Sequence, residues 1–172
     1  MIETIETRLH SAMNDRTMVD AMLRALEGFQ RYRDVLPFVP AGYTRTLLQK
    51  TADFEMVAML WAPQSVSAIH DHGDSRCWVL MIAGALDVDN YDRLDDREAR
   101  ADIVHSGSIV VERGELDHRL NWRELHRVRN ARPESAYMLQ IYSPLLRTYC
   151  VVNEHTRMTL SVQALYDSIY DL

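Results

Sequence analysis

The sequence predicts a mainly β protein, an antiparallel barrel or jelly roll preceded by N-terminal helices. Helical spacing of apolar residues is confined to roughly the first 36 positions. From Tyr43 onward the chain breaks into short β-rich runs at close, even spacing. The turn signals between those runs leave no room for an alternation of strands and long helices, so a closed antiparallel architecture is favoured over a parallel sheet.

In the first segment Ile2, Ile5, Leu9 and Met13 keep a helical spacing, and after Asp15 the set Val19, Met22, Leu23 and Leu26 repeats it. Gly28 is a plausible C-cap, and Pro37 and Pro40 end the helical pattern. Strands are then expected at 43–49, 54–61, 67–72, 76–82, 85–91, 101–105, 108–112, 124–130, 135–142, 147–152 and 156–162. Ala62-Pro63, Gly73-Asp74, Ala83-Gly84, Ser106-Gly107, Arg113-Gly114 and Arg132-Pro133 supply turns between them. The last turn, Ala164 to Tyr170, is read as helical. With no repeat, low-complexity tract or linker, the expected organisation is one domain over 1–172: helices in 1–36 packed on a barrel formed by 43–162.

Composition narrows the function classes. Of 172 residues, 47% are hydrophobic and 26% charged, an ordinary globular balance. Nineteen basic against 25 acidic residues give a net charge of −6, which argues against nucleic acid or an anionic membrane as the main partner. No apolar stretch is long enough for a membrane span, and the N-terminus has no signal-peptide pattern. Two cysteines, Cys77 and Cys150, suggest a reducing compartment rather than a disulfide scaffold, so the cytoplasm is the expected location. A monomer or small homo-oligomer is expected.

The sharpest local feature is Ala68-Ile69-His70-Asp71-His72-Gly73. Side chains two apart on a strand share a face, so His70 and His72 can grip one metal ion while Asp71 points away. Imidazole is the commonest protein ligand for first-row transition metals. A bare pair of histidines is equally well two ordinary polar residues in a turn. A third ligand has to come from a distant strand, from His105, His118, His126 or His155. The strand-like run Glu124–Asn130 favours His126, because His118 follows the charged turn 114–117 and reads as more exposed.

His70-x-His72-x₄-Cys77, His126-x₃-Asn130, Tyr43-Thr44-Arg45 and Tyr142-Ser143-Pro144 stand in register, and together they resemble the cysteine dioxygenases of the cupin superfamily. His70-x-His72-x₄-Cys77-x₆-Gly84 is similar to the first cupin motif, with cysteine where glutamate is usual. Leu125-His126-Arg127-Val128-x-Asn130 is similar to the second. Tyr43-Thr44-Arg45 upstream, Ile141-Tyr142-Ser143-Pro144 downstream and Trp61, nine residues before His70, complete the pattern. The resemblance runs from about residue 43 to 162.

The resemblance implies a cupin barrel holding one Fe(II) per chain on His70, His72 and His126. It implies oxidation of a small thiol by O₂, with cysteine becoming its sulfinate. Arg45 would clamp the substrate carboxylate, which its planar fork can hold bidentately. Tyr43, two residues away on the same face, and Trp61 would line the cavity, with Met158 as a further closing residue. Cys77 and Tyr142 would form a thioether pair beside the metal. One departure stands out: where the family usually carries serine and histidine before the tyrosine, this chain has Met138 and Gln140. Gln140 is therefore expected in the outer shell of the site without the relay chemistry of an imidazole.

Three histidines without a carboxylate leave a ferrous ion with its full charge, which suits a substrate bringing its own thiolate. The alternatives are a dioxygenase for another carboxylate-bearing thiol such as 3-mercaptopropionate, and a non-catalytic metal-binding or ligand-sensing cupin. Cysteamine is disfavoured by Arg45, and a sugar-isomerase or storage cupin by Cys77 in the glutamate position.

Overall fold

The computed structural model describes residues 5–95, 99–120 and 122–170; Ile2 of the predicted helical stripe lies outside them. Two helices open the chain, α1 at Ile5–Ala12 and α2 at Arg16–Tyr32. They are separated at Asp15, whose carboxylate accepts the amide hydrogens of Thr17 and Met18 and so caps α2. Gly28 does not end α2, which runs on to Tyr32 with Arg33 as its C-cap. Phe29 is buried and meets Tyr137 edge-on at 5.5 Å. That packing secures the last turn against a glycine cost of about 1 kcal/mol.

Thirteen strands follow among the described residues: β1 Tyr43–Lys50, β2 Glu55–Trp61, β3 Ser65–Val66, β4 Ile69–His70, β5 Arg76–Ala83, β6 Ala85–Arg93, β7 Ile103–Glu112, β8 Leu116–Arg119, β9 Glu124–Asn130, β10 Ala136–Ser143, β11 Thr148–Val152, β12 Thr159–Gln163 and β13 Ser168–Ile169. They form two sheets, ordered β13-β1-β2-β10-β5-β8 and β12-β11-β4-β9-β6-β7, with β3 on β9. Every pairing is antiparallel except β1 with β13. The barrel expected from the sequence, with helices ahead of it, is the observed fold.

Several elements differ from expectation, and the strand expected at 67–72 is only Ile69–His70, with His72 beyond its end. The two strands expected at 101–105 and 108–112 are one continuous β7, because Ser106-Gly107 makes a bulge against Asn90/Tyr91 rather than a reversal. Gly107, at φ 147°, supplies a backbone angle that side chains rarely adopt. Strand β8 arises from a charged segment in which Asp117 and Arg119 are turned inward and paired with each other. The segment 164–170 is not helical. It lies along β1 and adds the short parallel strand β13, its amides satisfied by β1 carbonyls instead of by a helical turn.

The first sheet is buried on both faces. Its outer face packs under the helices, with Leu9, Val19 and Met22 against Met56, Leu80 and Leu139. Its inner face joins the second sheet in the barrel interior, where Val57, Met59, Met81, Leu86 and Val128 meet. Strand β2 accordingly reads as an unbroken buried run rather than an alternation.

Candidate metal centre

Short-range constraints set the His70–His72 turn. The Asp71 carboxylate accepts the amides of Gly73 and Cys150 at 2.9 and 2.8 Å, tying the turn to β11. Gly73 has φ 54°, and a Cβ there would stand 2.7 Å from the Thr148 carbonyl oxygen, so no other residue fits the backbone. β4 pairs with β9 at His70↔His126. That register brings the third histidine beside the first.

The rings of His70 and His126 lie 4.3 Å apart, those of His72 and His126 4.8 Å, and those of His70 and His72 5.5 Å. One nitrogen from each falls within 4.8 Å of the others, the one cluster of potential metal ligands among the described residues. His70 Nδ1 sits 2.9 Å from the Ala68 carbonyl oxygen. Donation there leaves Nε2 with its lone pair free. Burial is the largest influence on all three imidazoles and pushes each below its usual value, His72 and His126 furthest. The set is therefore neutral near pH 7, the form that binds a metal.

The other candidates fall outside this group. His118 is exposed and pairs with Trp78 on the outer face of the first sheet, while its neighbour Arg119 pairs with Cys77 inside. His105 and His155 are exposed as well.

Tyr43, Arg45, Trp61, Gln140 and Tyr142 line one cavity together with the three histidines. The cavity is small, about 30 Å³ in volume, with room for a compact ligand. Arg45 is half-buried, its Nε and Nη2 shielded from solvent and without a protein partner, and its guanidinium lies 5.4 Å from the Tyr142 ring centre. Burial opposes its charge, but Tyr142, Glu55, Tyr149 and Tyr43 outweigh that and raise its pKa above the usual guanidinium value. Tyr43 stacks on Trp61 at 4.4 Å.

Tyr142 donates its hydroxyl to Gln140 Oε1. Burial, reinforced by Cys77, raises its pKa well above the ordinary phenol, so it remains a protonated donor. Cys77 is fully buried opposite Tyr142, and burial with the nearby Asp117 holds it as a neutral thiol. Met158 is half-exposed and stands with Asn153 and Leu160 in a groove elsewhere on the surface, so it does not close the cavity. A β11 tyrosine takes that place: Tyr149, which the sequence reading passed over, lines the cavity with its ring 5.9 Å from His70. Its signal was the alternation along a strand that reaches β4.

Asn130, four residues after His126, is fully buried but holds no ligand position. Its amide nitrogen donates to the carbonyls of Trp61, Ala62 and Glu134, closing the end of β9 onto β2.

A double-helical β barrel with three histidines converging inside it defines a cupin with a candidate metal centre. The chain belongs to the cysteine dioxygenase type I family, whose model matches residues 4–155. It is 25% identical to cysteine dioxygenase type 1 of Danio rerio over 176 residues, covering 98% of this chain and 87% of that one. It is 28% identical to the Rattus norvegicus protein over 116 residues, covering 66% of this chain and 57% of the other. Among solved structures, a conserved protein with a double-stranded beta-helix domain from Klebsiella pneumoniae superposes with TM-score 0.52 at 14% identity, covering 71% and 94% of the two chains. TT1209 from Thermus thermophilus gives the same score at 13% identity, covering 66% and 93%. Both likenesses concern the fold. No helix among the described residues is long and apolar enough to cross a membrane.

Proposed function

We propose that this chain is a thiol dioxygenase that adds both atoms of O₂ to the sulfur of L-cysteine, giving cysteine sulfinate. The observation that carries the reading is Arg45: a guanidinium with two buried, unmatched nitrogens in the cavity that the three histidines line. A buried donor without an acceptor costs roughly 1–3 kcal/mol, more for a charged group. A substrate carboxylate would remove that cost by accepting both hydrogen bonds.

The donor set fits one Fe(II), held by His70, His72 and His126. Bound there, the ion would supply a Lewis-acidic, redox-active centre that lowers the thiol pKa and brings O₂ to the sulfur. The protein's own residues do the rest. Neutral imidazoles and a neutral Cys77 thiol add no negative charge, so a bound ion would keep its full charge for an anionic substrate. Arg45 orients the substrate from its carboxylate end, and Tyr43 and Trp61 wall the cavity against water. Tyr142, kept protonated by burial, presents a hydroxyl beside the reacting sulfur. Two unpaired cysteines fit a reducing, cytoplasmic setting.

A second reading, a dioxygenase for another small carboxylate-bearing thiol such as 3-mercaptopropionate, is supported by the same Arg45, which calls for a carboxylate and not for an amino group. Anaerobic reconstitution with Fe(II), followed by O₂ uptake and sulfinate formation over a thiol panel, tests both. Cysteine as the preferred substrate supports the first. Preference for 3-mercaptopropionate selects the second, and absence of any sulfinate rejects both.

A further inference from the structure

The segment 164–170 lies beyond the residues matched by the family model, yet it is bound closely to the strand that carries Arg45. The Arg45 amide donates to Asp167 Oδ2 at 2.7 Å, and the Asp167 amide donates to the Arg45 carbonyl at 2.8 Å. Thr46 and Ser168 share a hydroxyl hydrogen bond at 2.8 Å, and the Tyr170 amide donates to the Leu47 carbonyl at 2.8 Å. This strap covers what would otherwise be the edge of the first sheet. It also carries Tyr166, whose hydroxyl reaches inward to Glu55 Oε2.

Glu55 has no solvent exposure and its Oε1 has no partner. It stands in register with Tyr142 across β2 and β10, on the face from which Arg45 also projects. The two charges influence one another, but no ion pair joins them among the described contacts. A buried carboxylate and a guanidinium with buried nitrogens on one face would normally pair, because each otherwise remains incompletely compensated. A pairing of that kind would consume the donors on Arg45 that a substrate carboxylate needs. Tyr166 supplies Glu55 with a competing donor.

We propose that Tyr166, delivered by the C-terminal strap, is a positioning residue that holds Glu55 off Arg45 and so keeps the guanidinium open for a carboxylate-bearing substrate. The inference rests on the reading of Arg45 as the clamp. Without the phenol hydroxyl, Glu55 turns to Arg45 and becomes an internal competitor of the substrate. Iron binding and the reactivity of an already bound thiol are untouched, so the defect is confined to recognition of the carboxylate.

The test is anaerobic calorimetry of cysteine and of cysteamine, which lacks the carboxylate, binding to the iron-loaded protein, together with steady-state kinetics. Tyr166→Phe should weaken cysteine about tenfold in Kd and KM, leave kcat and iron content as they were, and leave cysteamine unaffected. In a Glu55→Gln background, where no carboxylate remains to compete, the same change should cost less than twofold for cysteine. Equal loss for both thiols, no loss for either, or an undiminished effect in the Glu55→Gln background overturns the proposal. Arg45→Ala, measured in parallel, separates the two layers. If it removes the preference for cysteine while Tyr166→Phe does not, the clamp stands and the strap's role falls; if it changes nothing, the clamp reading falls first.

Discussion

Cys77 and Tyr142 stand directly opposite each other in the β5–β10 ladder, both fully buried, with the Tyr142 ring edge-on to His72 at 5.3 Å between centres. Opposed residues on one face of an antiparallel pair have Cβ atoms about 4.5–5.5 Å apart, so a thiol and a phenol ring in these positions are held in contact. Both groups remain protonated near neutral pH. Joining them as a thioether removes two hydrogens and two electrons, which O₂ accepts when the metal is bound. After turnover with Fe(II), cysteine and O₂, intact mass should fall by two hydrogens in part of the protein. Peptide mapping should then connect the segments carrying Cys77 and Tyr142. Cys77→Ser should abolish that species while keeping measurable activity, and a fully free Cys77 after many turnovers would refute the pairing.

The ligand set makes a second prediction that needs no turnover. A metal that binds only the folded protein raises stability by RT ln(1 + [L]/Kd), about 2.7 kcal/mol at a hundredfold excess over Kd. Anaerobic Fe(II) should therefore raise the Tm of the wild-type protein and of His118→Ala, but not of His126→Ala. Retention of iron by His126→Ala with loss from His118→Ala would reverse the assignment.

Much of this architecture is legible in the sequence because period-two patterning and turn residues act locally. His70 and His72 are found by spacing, and His126 by the strand-like run around it. The misses share a cause: each depends on long-range partners. β8 looks like a charged turn until Arg119 falls opposite Cys77 in the ladder and donates to Asn90 Oδ1. The 164–170 segment has a plausible helical texture, overridden by hydrogen bonds to β1 more than 110 positions earlier. Glu55 and Tyr166 are 111 residues apart, and nothing in the local sequence of either announces the other. The residue type of Met158 suggests a cavity wall, but an isolated bridge to the distant Arg100 sets it in a surface groove.

A third prediction concerns the strand that presents His126. Asp89 on β6 accepts hydrogen bonds from Ser108, Arg127 and Arg129, and it sits one register position from the Asn90↔His126 pair. Burial alone would raise its pKa, but Ser108 and the two arginines outweigh burial and hold it below the usual aspartate value. A carboxyl group with a depressed folded pKa contributes stability that is present above its unfolded pKa of about 3.9 and lost as pH falls through the lower folded value. Asp89→Asn should therefore cost about 1–3 kcal/mol at pH 7, the scale of charge-assisted hydrogen bonds. That difference from wild type should shrink below about pH 4. Denaturant midpoints measured from pH 7 to pH 3 decide it, and a constant difference across that range would show that Asp89 acts through packing alone.

Gln140 raises the last prediction, because it lines the cavity and holds the Tyr142 hydroxyl. Its Oε1 accepts the Tyr142 hydroxyl, and its amide nitrogen lies 3.9 Å from the Met138 sulfur, a weak partner at best. Gln140 can thus fix the direction in which Tyr142 points but cannot exchange a proton near neutral pH. Partners at one remove from a metal typically matter by about 10- to 100-fold, so Gln140→Ala should slow turnover on that scale with iron still bound. Gln140→His should add a limb to the kcat profile that wild type lacks. Since position 140 is buried, the new limb should lie at or below the unperturbed imidazole value of about 6.5, with activity changing as pH falls through it. If Gln140→Ala instead matches wild type across the whole pH range, Tyr142 is positioned by its packing against Arg45 and His72, and the amide merely fills the barrel wall.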